Sequence, residues 1–220
     1  MILCDVVESL APFSDNWGWN AKEAFRFDLA GGRSGGEVLH TTVPPGIPRG
    51  QASLRVCLQD KDLLRKVRFA PDSGYMDRVN LFMGLLQQKD PDVESFAYRD
   101  PKGWIKIFGG ENVRLVIAGH EHTKITEPEG AALMAQFGAH FADCRHFYSM
   151  MGHLGCGPDG LQKGDRICVV PNCRVPLIFR RVGPKHYKFV STCFVLGLMD
   201  GEAGGMVARG ETFLEELQVC

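Results

Sequence analysis

Histidine is the residue type in this sequence best suited to proton transfer near neutral pH, because its ordinary pKa is about 6.5. Five of the seven histidines fall between residues 120 and 153, so acid–base chemistry is to be sought in this stretch. The catalytic candidates are His153, His146, Tyr148, His120 and His122, and the substrate-binding candidates are Arg145, His140 and Cys156.

His146 and Tyr148 lie two residues apart in a stretch that favours a strand, so their side chains share one face. His153 follows in the glycine-containing turn after that strand. An imidazole and a phenol on one face, beside a second imidazole, form a surface that could transfer protons. Ordinary surface polarity is the alternative interpretation.

His120 and His122 follow an apolar strand candidate and share one face of an extended chain. That spacing can chelate a metal ion, but no further Asp, Glu or His completes a recognised ligand set. We therefore assign no metal to the protein. A polar strand end and a pair of acid–base histidines are the other interpretations.

The substrate-binding candidates have different surroundings. His140 lies near the apolar stripe of a predicted helix, where a half-buried, hydrogen-bonded histidine is the alternative. Cys156 lies between two glycines, whose backbone N–H groups could cradle an anion or lower the pKa of the thiol. Arg145 or Tyr148 would orient or stabilise a phenolate or enolate oxygen.

No cofactor motif is present in its usual structural setting. The sequence contains no P-loop and no C-x-x-C pattern, and neither the G-x-S-x-G match at residues 32–36 nor the G-x-G-x-x-G match at residues 155–160 is followed by a predicted helix. No cofactor is therefore predicted. The aromatic content of 14 Phe, 3 Trp and 4 Tyr favours an apolar pocket for a hydrophobic aromatic small molecule. Core packing is the alternative explanation of these aromatic residues.

The composition is that of an ordinary globular protein, with 220 residues, 45% hydrophobic and 23% charged. Lys and Arg number 25 against 26 Asp and Glu, a balance that argues against nucleic acid and membrane surfaces as partners. No apolar run approaches the roughly 18 residues of a membrane span, and the N-terminus lacks the basic region of a secretory signal. Eight scattered cysteines then predict free thiols and a cytoplasmic location. The oligomeric state is left open.

Helices and strands must position these side chains. Apolar spacing predicts a helix over residues 73–88 and another from Thr126, where a capping box precedes a buried stripe that runs to Cys144. Aromatic residues 25 and 27 predict a strand, with a return strand over residues 37–43. Further strands are predicted over residues 52–57, 103–107, 113–118, 166–170, 175–181 and 187–196.

The predicted fold class is α+β, a small antiparallel β-barrel or curled sheet with two or three helices. One domain is predicted over residues 1–220, with an N-terminal hairpin region over residues 1–60. The 26 Gly and 12 Pro residues favour many turns and short strands over a helical bundle.

Residues 145–203 resemble the C-terminal module of fungal heterokaryon-incompatibility (HET) proteins. In that family an aromatic strand enters a glycine-rich turn, followed by a G-D-x-V/I-C-V strand, a G-C-x-x-P turn and a closing G-x-M-D-G-E-A. The matching residues are Gly155, Gly157, Pro158, Gly164, Asp165, Cys168, Cys173, Pro176, Tyr187, Gly197, Met199, Asp200, Gly201 and Glu202.

The resemblance implies a filamentous-fungal source, a small β-rich core, and structural roles for Cys168 and Cys173. Nothing in residues 1–144 resembles the HET signalling domain, so we expect the module to stand without it. His153 and Cys156 occupy positions where that family has tyrosine and leucine, and Leu196 occupies one where it has histidine. The glycine turn has therefore gained a titratable group.

Two functions follow from these observations. The first is a cofactor-independent enzyme of fungal specialised metabolism, in which histidines act as general acid and base. It would isomerise or cyclise a phenolic, chalcone-like or polyketide substrate, for example by oxa-Michael ring closure. The second is a non-catalytic interaction module of the heterokaryon-incompatibility type, which binds a partner protein through its sheet.

Overall fold

The computed structural model describes residues 2–13, 24, 27–28, 42–44, 47–59, 61–62, 67–68, 135 and 138–220. His120, His122 and the elements predicted over residues 73–88, 103–107 and 113–118 lie outside these ranges. Among the described helices, none combines the length and apolar character that crossing a membrane requires.

Four two-residue strands form two small hairpins, β2 (Thr42–Val43) with β3 (Ile47–Pro48) and β4 (Lys61–Asp62) with β5 (Val67–Arg68). The other eight strands form one sheet. In spatial order they are β11 (Phe194–Val195), β7 (Leu154–Pro158), β6 (Cys144–Ser149), β1 (Ile2–Leu10), β8 (Arg166–Val169), β9 (Leu177–Arg181), β10 (His186–Thr192) and β12 (Gln218–Val219).

The sheet is mixed and open. Every neighbouring pair is antiparallel except β10 and β12, which are parallel. Because β11 and β12 lie at opposite ends of the strand order, the described strands do not close into a barrel, which was one of the two predicted forms of the sheet. The predicted combination of a β-sheet with a few helices is present, while the detail of a small closed barrel is not.

The N-terminal strand β1 lies in the middle of this sheet, between β6 and β8. Its register slips between Leu3 and Asp5 and again between Val7 and Ser9, which are irregularities of the β-bulge kind. Asp5 is buried, and its carboxylate accepts hydrogen bonds from the backbone N–H groups of Val6 and Met151.

Helix α1 spans Arg49–Leu58 and packs against β7, and helix α2 spans Glu202–Ala208. Residues 138–143 are also helical and lead directly into β6. The helix predicted from Thr126 therefore ends before Cys144, because Cys144 already pairs with Pro158 of β7.

The strand predicted over residues 52–57 is wrong, because this segment belongs to α1. Ala52 and Ser53 are buried, and so are Val56 and Cys57 one turn later. Two adjacent buried residues repeated after four positions fit a helix and not a strand, in which neighbours face opposite sides.

The strand predicted at residues 25 and 27 is wrong at Phe27, which has a helical backbone, while Phe25 lies outside the described ranges. Two aromatic residues give a single period of alternation, which is too short to distinguish a strand from a helix. The three C-terminal strands were predicted to within two residues at most of their ends, except that the last one is divided into β10 and β11.

The main apolar core lies on one face of the sheet. Its buried residues are Val7, Phe147, Leu161, Ile167, Ile178, Cys193, Val195, Leu198, Ala203 and Met206. Strand β6 contributes Phe147 and helix α2 contributes Ala203 and Met206, so the helix covers this face.

The residues that carry the resemblance to the HET module have structural roles. A Cβ atom on Gly155 would lie 2.6 Å from the carbonyl oxygen of Phe194 and 2.7 Å from the ring of Phe147. Asp165 is buried, and both of its oxygens accept hydrogen bonds from Arg180 at 2.8 Å. These positions hold strands and turns together, and they do not by themselves indicate chemistry.

Candidate functional site

The face of β6 opposite the apolar core is polar. Cys144, His146 and Tyr148 alternate along the strand and so share this face, as the sequence predicted for His146 and Tyr148. His146 lies directly across from Cys156 on β7. Helix α1 packs against β7 and brings Ser53, Cys57 and Gln59 to the same place.

We call the resulting group the polar cluster. It consists of Asp28, Ser53, Cys57, Gln59, His140, Cys144, His146 and Cys156. Cys144 and Gln59 are partly exposed, and the other six side chains are buried. Three segments distant in sequence therefore supply one buried polar group.

A chain of hydrogen bonds runs through the middle of the polar cluster. His146 Nδ1 lies 2.8 Å from Asp28 Oδ2, and His146 Nε2 lies 2.9 Å from His140 Nε2. With Asp28 ionised, His146 donates from Nδ1 and accepts at Nε2, and His140 donates from Nε2. This proton assignment leaves Nδ1 of His140 with a lone pair.

Further contacts fix Asp28 in position. Ser53 Oγ donates to the same oxygen of Asp28, and the phenol of Tyr148 donates to the Asp28 carbonyl oxygen at 2.8 Å. The ring of Phe27 packs on Tyr148, with 5.6 Å between their centroids. The second carboxylate oxygen, Asp28 Oδ1, is buried and has no hydrogen-bond partner within the described part of the chain.

Cys144 and Cys156 form a pair of thiols joined by a hydrogen bond. The pKa of Cys144 is lowered to about 4, chiefly because the Cys156 thiol donates a hydrogen bond to it; burial opposes the lowering, and His140 contributes to it. The same hydrogen bond, together with burial, raises the pKa of Cys156. The Gln59 amide nitrogen lies 3.9 Å from the sulfur of Cys144 and 4.0 Å from that of Cys156. Cys144 is thus the more acidic thiol of the pair.

Cys57 completes an arrangement of thiol, imidazole and carboxylate, because its sulfur lies 4.0 Å from His146 Nε2. Burial raises the pKa of Cys57, and the charge of Asp28 raises it further. Since His146 Nε2 already contacts His140, Cys57 stays a protonated thiol and is a poor nucleophile.

Burial lowers the pKa of His140, an effect that a hydrogen bond to Cys144 opposes. The ring of His140 packs edge-on against Phe141, with 4.9 Å between the centroids. A neutral imidazole beside thiol groups can bind either a proton or a soft metal ion. Within the described ranges, two sets of residues have ligand atoms within 4.8 Å of one another: Cys57, His140 and His146, and His140, Cys144 and Cys156.

Two predicted site residues are engaged elsewhere. Arg145, which neighbours His146 and faces the other side of β6, donates from Nε to the carbonyl oxygen of Ala11 at 2.6 Å. His153 donates from Nδ1 to the carbonyl oxygen of Leu196 at 3.1 Å. Two of the three positions that differ from the HET pattern, His153 and Leu196, thus contact each other.

Sequence reasoning found His140, His146, Tyr148 and Cys156 but missed five residues of the polar cluster. Cys144 was recoverable, because it precedes His146 by two positions and shares its face of β6. Ser53 and Cys57 required a helix where a strand was predicted. Asp28 and Gln59 carry no motif that would have identified them.

Comparison with known proteins gives a family but no individual relative. The family model of the Het-6 beta-barrel domain matches residues 74–215. No curated protein and no solved structure matches the chain.

Proposed function

This chain belongs to the Het-6 beta-barrel domain family, and on that premise we propose that it is a small-molecule enzyme with histidine acid–base chemistry. The observation that carries the proposal is the buried chain from Asp28 through His146 to His140. An aligned carboxylate and two imidazoles in a buried site are costly for stability, and such groups cluster at functional sites.

The proposed reaction is an isomerisation or ring closure of a phenolic, chalcone-like or polyketide substrate. A phenolic O–H loses its proton to the lone pair on Nδ1 of His140, while His146 and Asp28 fix the orientation of that ring. The phenolate oxygen then forms a bond to the β-carbon of an enone, and the π electrons move to the carbonyl oxygen as an enolate. Return of the proton to the α-carbon completes an isomerisation that needs no oxidant or reductant.

This proposal assigns different roles from those expected for Arg145, Tyr148 and His153. Their polar atoms are held by backbone carbonyl groups, so we give them positioning roles. His140, expected to bind substrate, becomes the proton acceptor, and His146 becomes the residue that orients it.

The test uses an ortho-hydroxychalcone as the probe, because ring closure to a flavanone removes the conjugated absorption band. We expect parent protein to accelerate this loss and His146→Asn to lower kcat/KM by roughly 100-fold to 10,000-fold, the range of general acid–base catalysis. His186→Asn is the matched control, since His186 is exposed on β10. A folded His146→Asn variant with parental kcat/KM would contradict the proposal.

The second candidate, a protein-interaction module, is favoured by exposed apolar side chains near the C-terminus. Phe213 and Leu214 are 64% and 65% exposed, and Val219 on the end strand β12 is half exposed. Apolar side chains of this size in solvent are typical of contact surfaces when they lie together. Changing Phe213→Ser and Leu214→Ser should remove partner binding and leave chalcone turnover unchanged, while His146→Asn should do the opposite.

A further inference from the structure

We propose that His140, Cys144 and Cys156 bind a zinc ion. One nitrogen of His140 and the sulfurs of the two cysteines lie within 4.8 Å of one another. A tetrahedral zinc ion, at about 2.3 Å from sulfur and about 2.0 Å from nitrogen, holds its ligand atoms roughly 3.5–3.8 Å apart. Small side-chain rotations therefore suffice to close the site.

The chemistry of the donors favours zinc over harder ions. Two thiols and one imidazole form a soft set that selects zinc over magnesium or calcium, which prefer oxygen ligands. Three protein ligands leave the fourth tetrahedral position open, which is the arrangement of catalytic and not of structural zinc. Cys144 is partly exposed, so solvent reaches one of the three ligands.

The surroundings of the three ligands match those of a metal site. A zinc-bound histidine usually gives its other ring N–H to an acceptor, and that partner in turn is held in place. Nε2 of His140 already contacts His146, and Asp28 holds His146 through the Nδ1 atom of His146. Nδ1 of His140 is therefore the nitrogen available to an ion. The Gln59 amide lies within 4.0 Å of both sulfurs and would donate to both thiolates of a zinc-bound site.

Gln59 is itself held in an uncommon conformation. It follows α1 with φ 50, in the left-handed region that glycine or asparagine normally occupies at the end of a helix. A non-glycine residue there points to a constraint on its side chain, and the amide reaches both cysteines. This observation is independent of the distances among the three ligands.

The alternative set of Cys57, His140 and His146 is less suitable. The two Nε2 atoms are 2.9 Å apart and hydrogen-bonded to each other, whereas two zinc-bound nitrogens lie about 3.3 Å apart. Metal binding by this set would also break the hydrogen bond that positions both imidazoles. The set is closed to solvent, because all three of its residues are buried.

Binding of the ion does not depend on the proposed function, but its role in turnover rests on it. Zinc would take the lone pair of His140 that otherwise accepts the phenolic proton. The ion would then act as a Lewis acid and lower the pKa of a phenol at the open position; the phenolic proton would pass to solvent water, and solvent would return a proton to the α-carbon. His146 and Asp28 keep their positioning role in either case.

The test measures zinc in full-length protein purified without chelator, by mass spectrometry of the metal. We expect about one zinc per chain in parent protein and at least a tenfold loss of occupancy in Cys144→Ser and Cys156→Ser. His146→Gln should weaken affinity by about 10-fold to 100-fold, as loss of a residue behind a metal ligand does. Cys220→Ser is the control, because Cys220 is exposed.

Cobalt provides a second readout that needs no folded variant. Cobalt added to chelator-treated parent should give thiolate charge-transfer absorption of two-thiolate intensity, and one-thiolate intensity would overturn the assignment. Loss of zinc in Cys57→Ser but not in Cys144→Ser would overturn it in favour of the alternative set. Zinc-loaded protein that shows no chalcone turnover would support the zinc site and contradict the proposed enzyme activity. Parent protein that contains no zinc and turns over chalcone both before and after chelation would contradict the zinc site and support the enzyme activity.

Discussion

Strand β6 separates two regions that are stabilised in opposite ways. On one face Phe147 is fully buried among Val7, Ile167 and Ile178. On the other face His146, equally buried, is held between Asp28 and His140. Two adjacent residues of one strand thus belong to an apolar core and to the polar cluster.

The energetics of the two faces differ accordingly. Burial of a large apolar side chain stabilises the fold by about 1.5–3 kcal/mol without any requirement for a partner. Buried polar and charged groups contribute little net stability, because desolvation offsets most of what their hydrogen bonds gain. The apolar face explains why the sheet folds, and the polar face needs a reason beyond stability.

The two faces draw on the family match to different extents: one of the ten core residues, Val7, precedes it, whereas four of the eight residues of the polar cluster do. The match to the Het-6 beta-barrel domain begins at residue 74, so it includes His140, Cys144, His146 and Cys156. Asp28, with Ser53, Cys57 and Gln59 of the polar cluster, precedes it. The polar cluster is therefore assembled from the family domain and from a segment that the family model does not describe.

The largest effect is expected on the apolar face. Phe147→Ala should lower the free energy of unfolding by about 3–5 kcal/mol, because it removes a fully buried ring and leaves a cavity. Denaturant unfolding measures the change, and Phe189→Ala, on an exposed Phe of β10, is the matched control. A loss below about 1 kcal/mol for Phe147→Ala would remove the distinction between the two faces.

An intermediate effect is expected on the polar face, where a double-mutant cycle isolates one contact. Asp28→Ala and His146→Ala should each destabilise the protein, but the double variant should lose less than their sum. We expect a coupling energy of about 2 kcal/mol, since the hydrogen bond is buried and involves a charged partner. Additive changes would mean that the two residues do not act as a unit.

Sequence patterns predicted the apolar face better than the polar one. The strands from residue 166 onward were found because short apolar runs there are separated by turn residues. Strand β1 was missed because two register shifts within nine residues break the alternation that identifies a strand. Asp5 of this strand is buried, whereas an aspartate in a sequence is normally predicted to lie at the surface.

The polar cluster was predictable only in part. His146 and Tyr148 follow from alternation along a single strand, and His140 from its place on a predicted helix. Asp28 and Cys57 reach His146 through contacts across 118 and 89 residues of sequence. Neither residue shares a periodic pattern with its partner, so no local rule connects them.

The smallest effect is expected for Tyr148→Phe, which tests whether this phenol is catalytic or only supports the polar cluster. Its hydroxyl donates to the Asp28 carbonyl oxygen, and the change removes that bond while keeping the ring against Phe27. We expect a loss of about 1 kcal/mol in unfolding free energy and less than a tenfold fall in chalcone turnover. A fall of 100-fold or more, comparable with His146→Asn, would place the phenol at the reacting oxygen. That result would require a second hydrogen-bonding state of Tyr148, released from Asp28 when substrate binds.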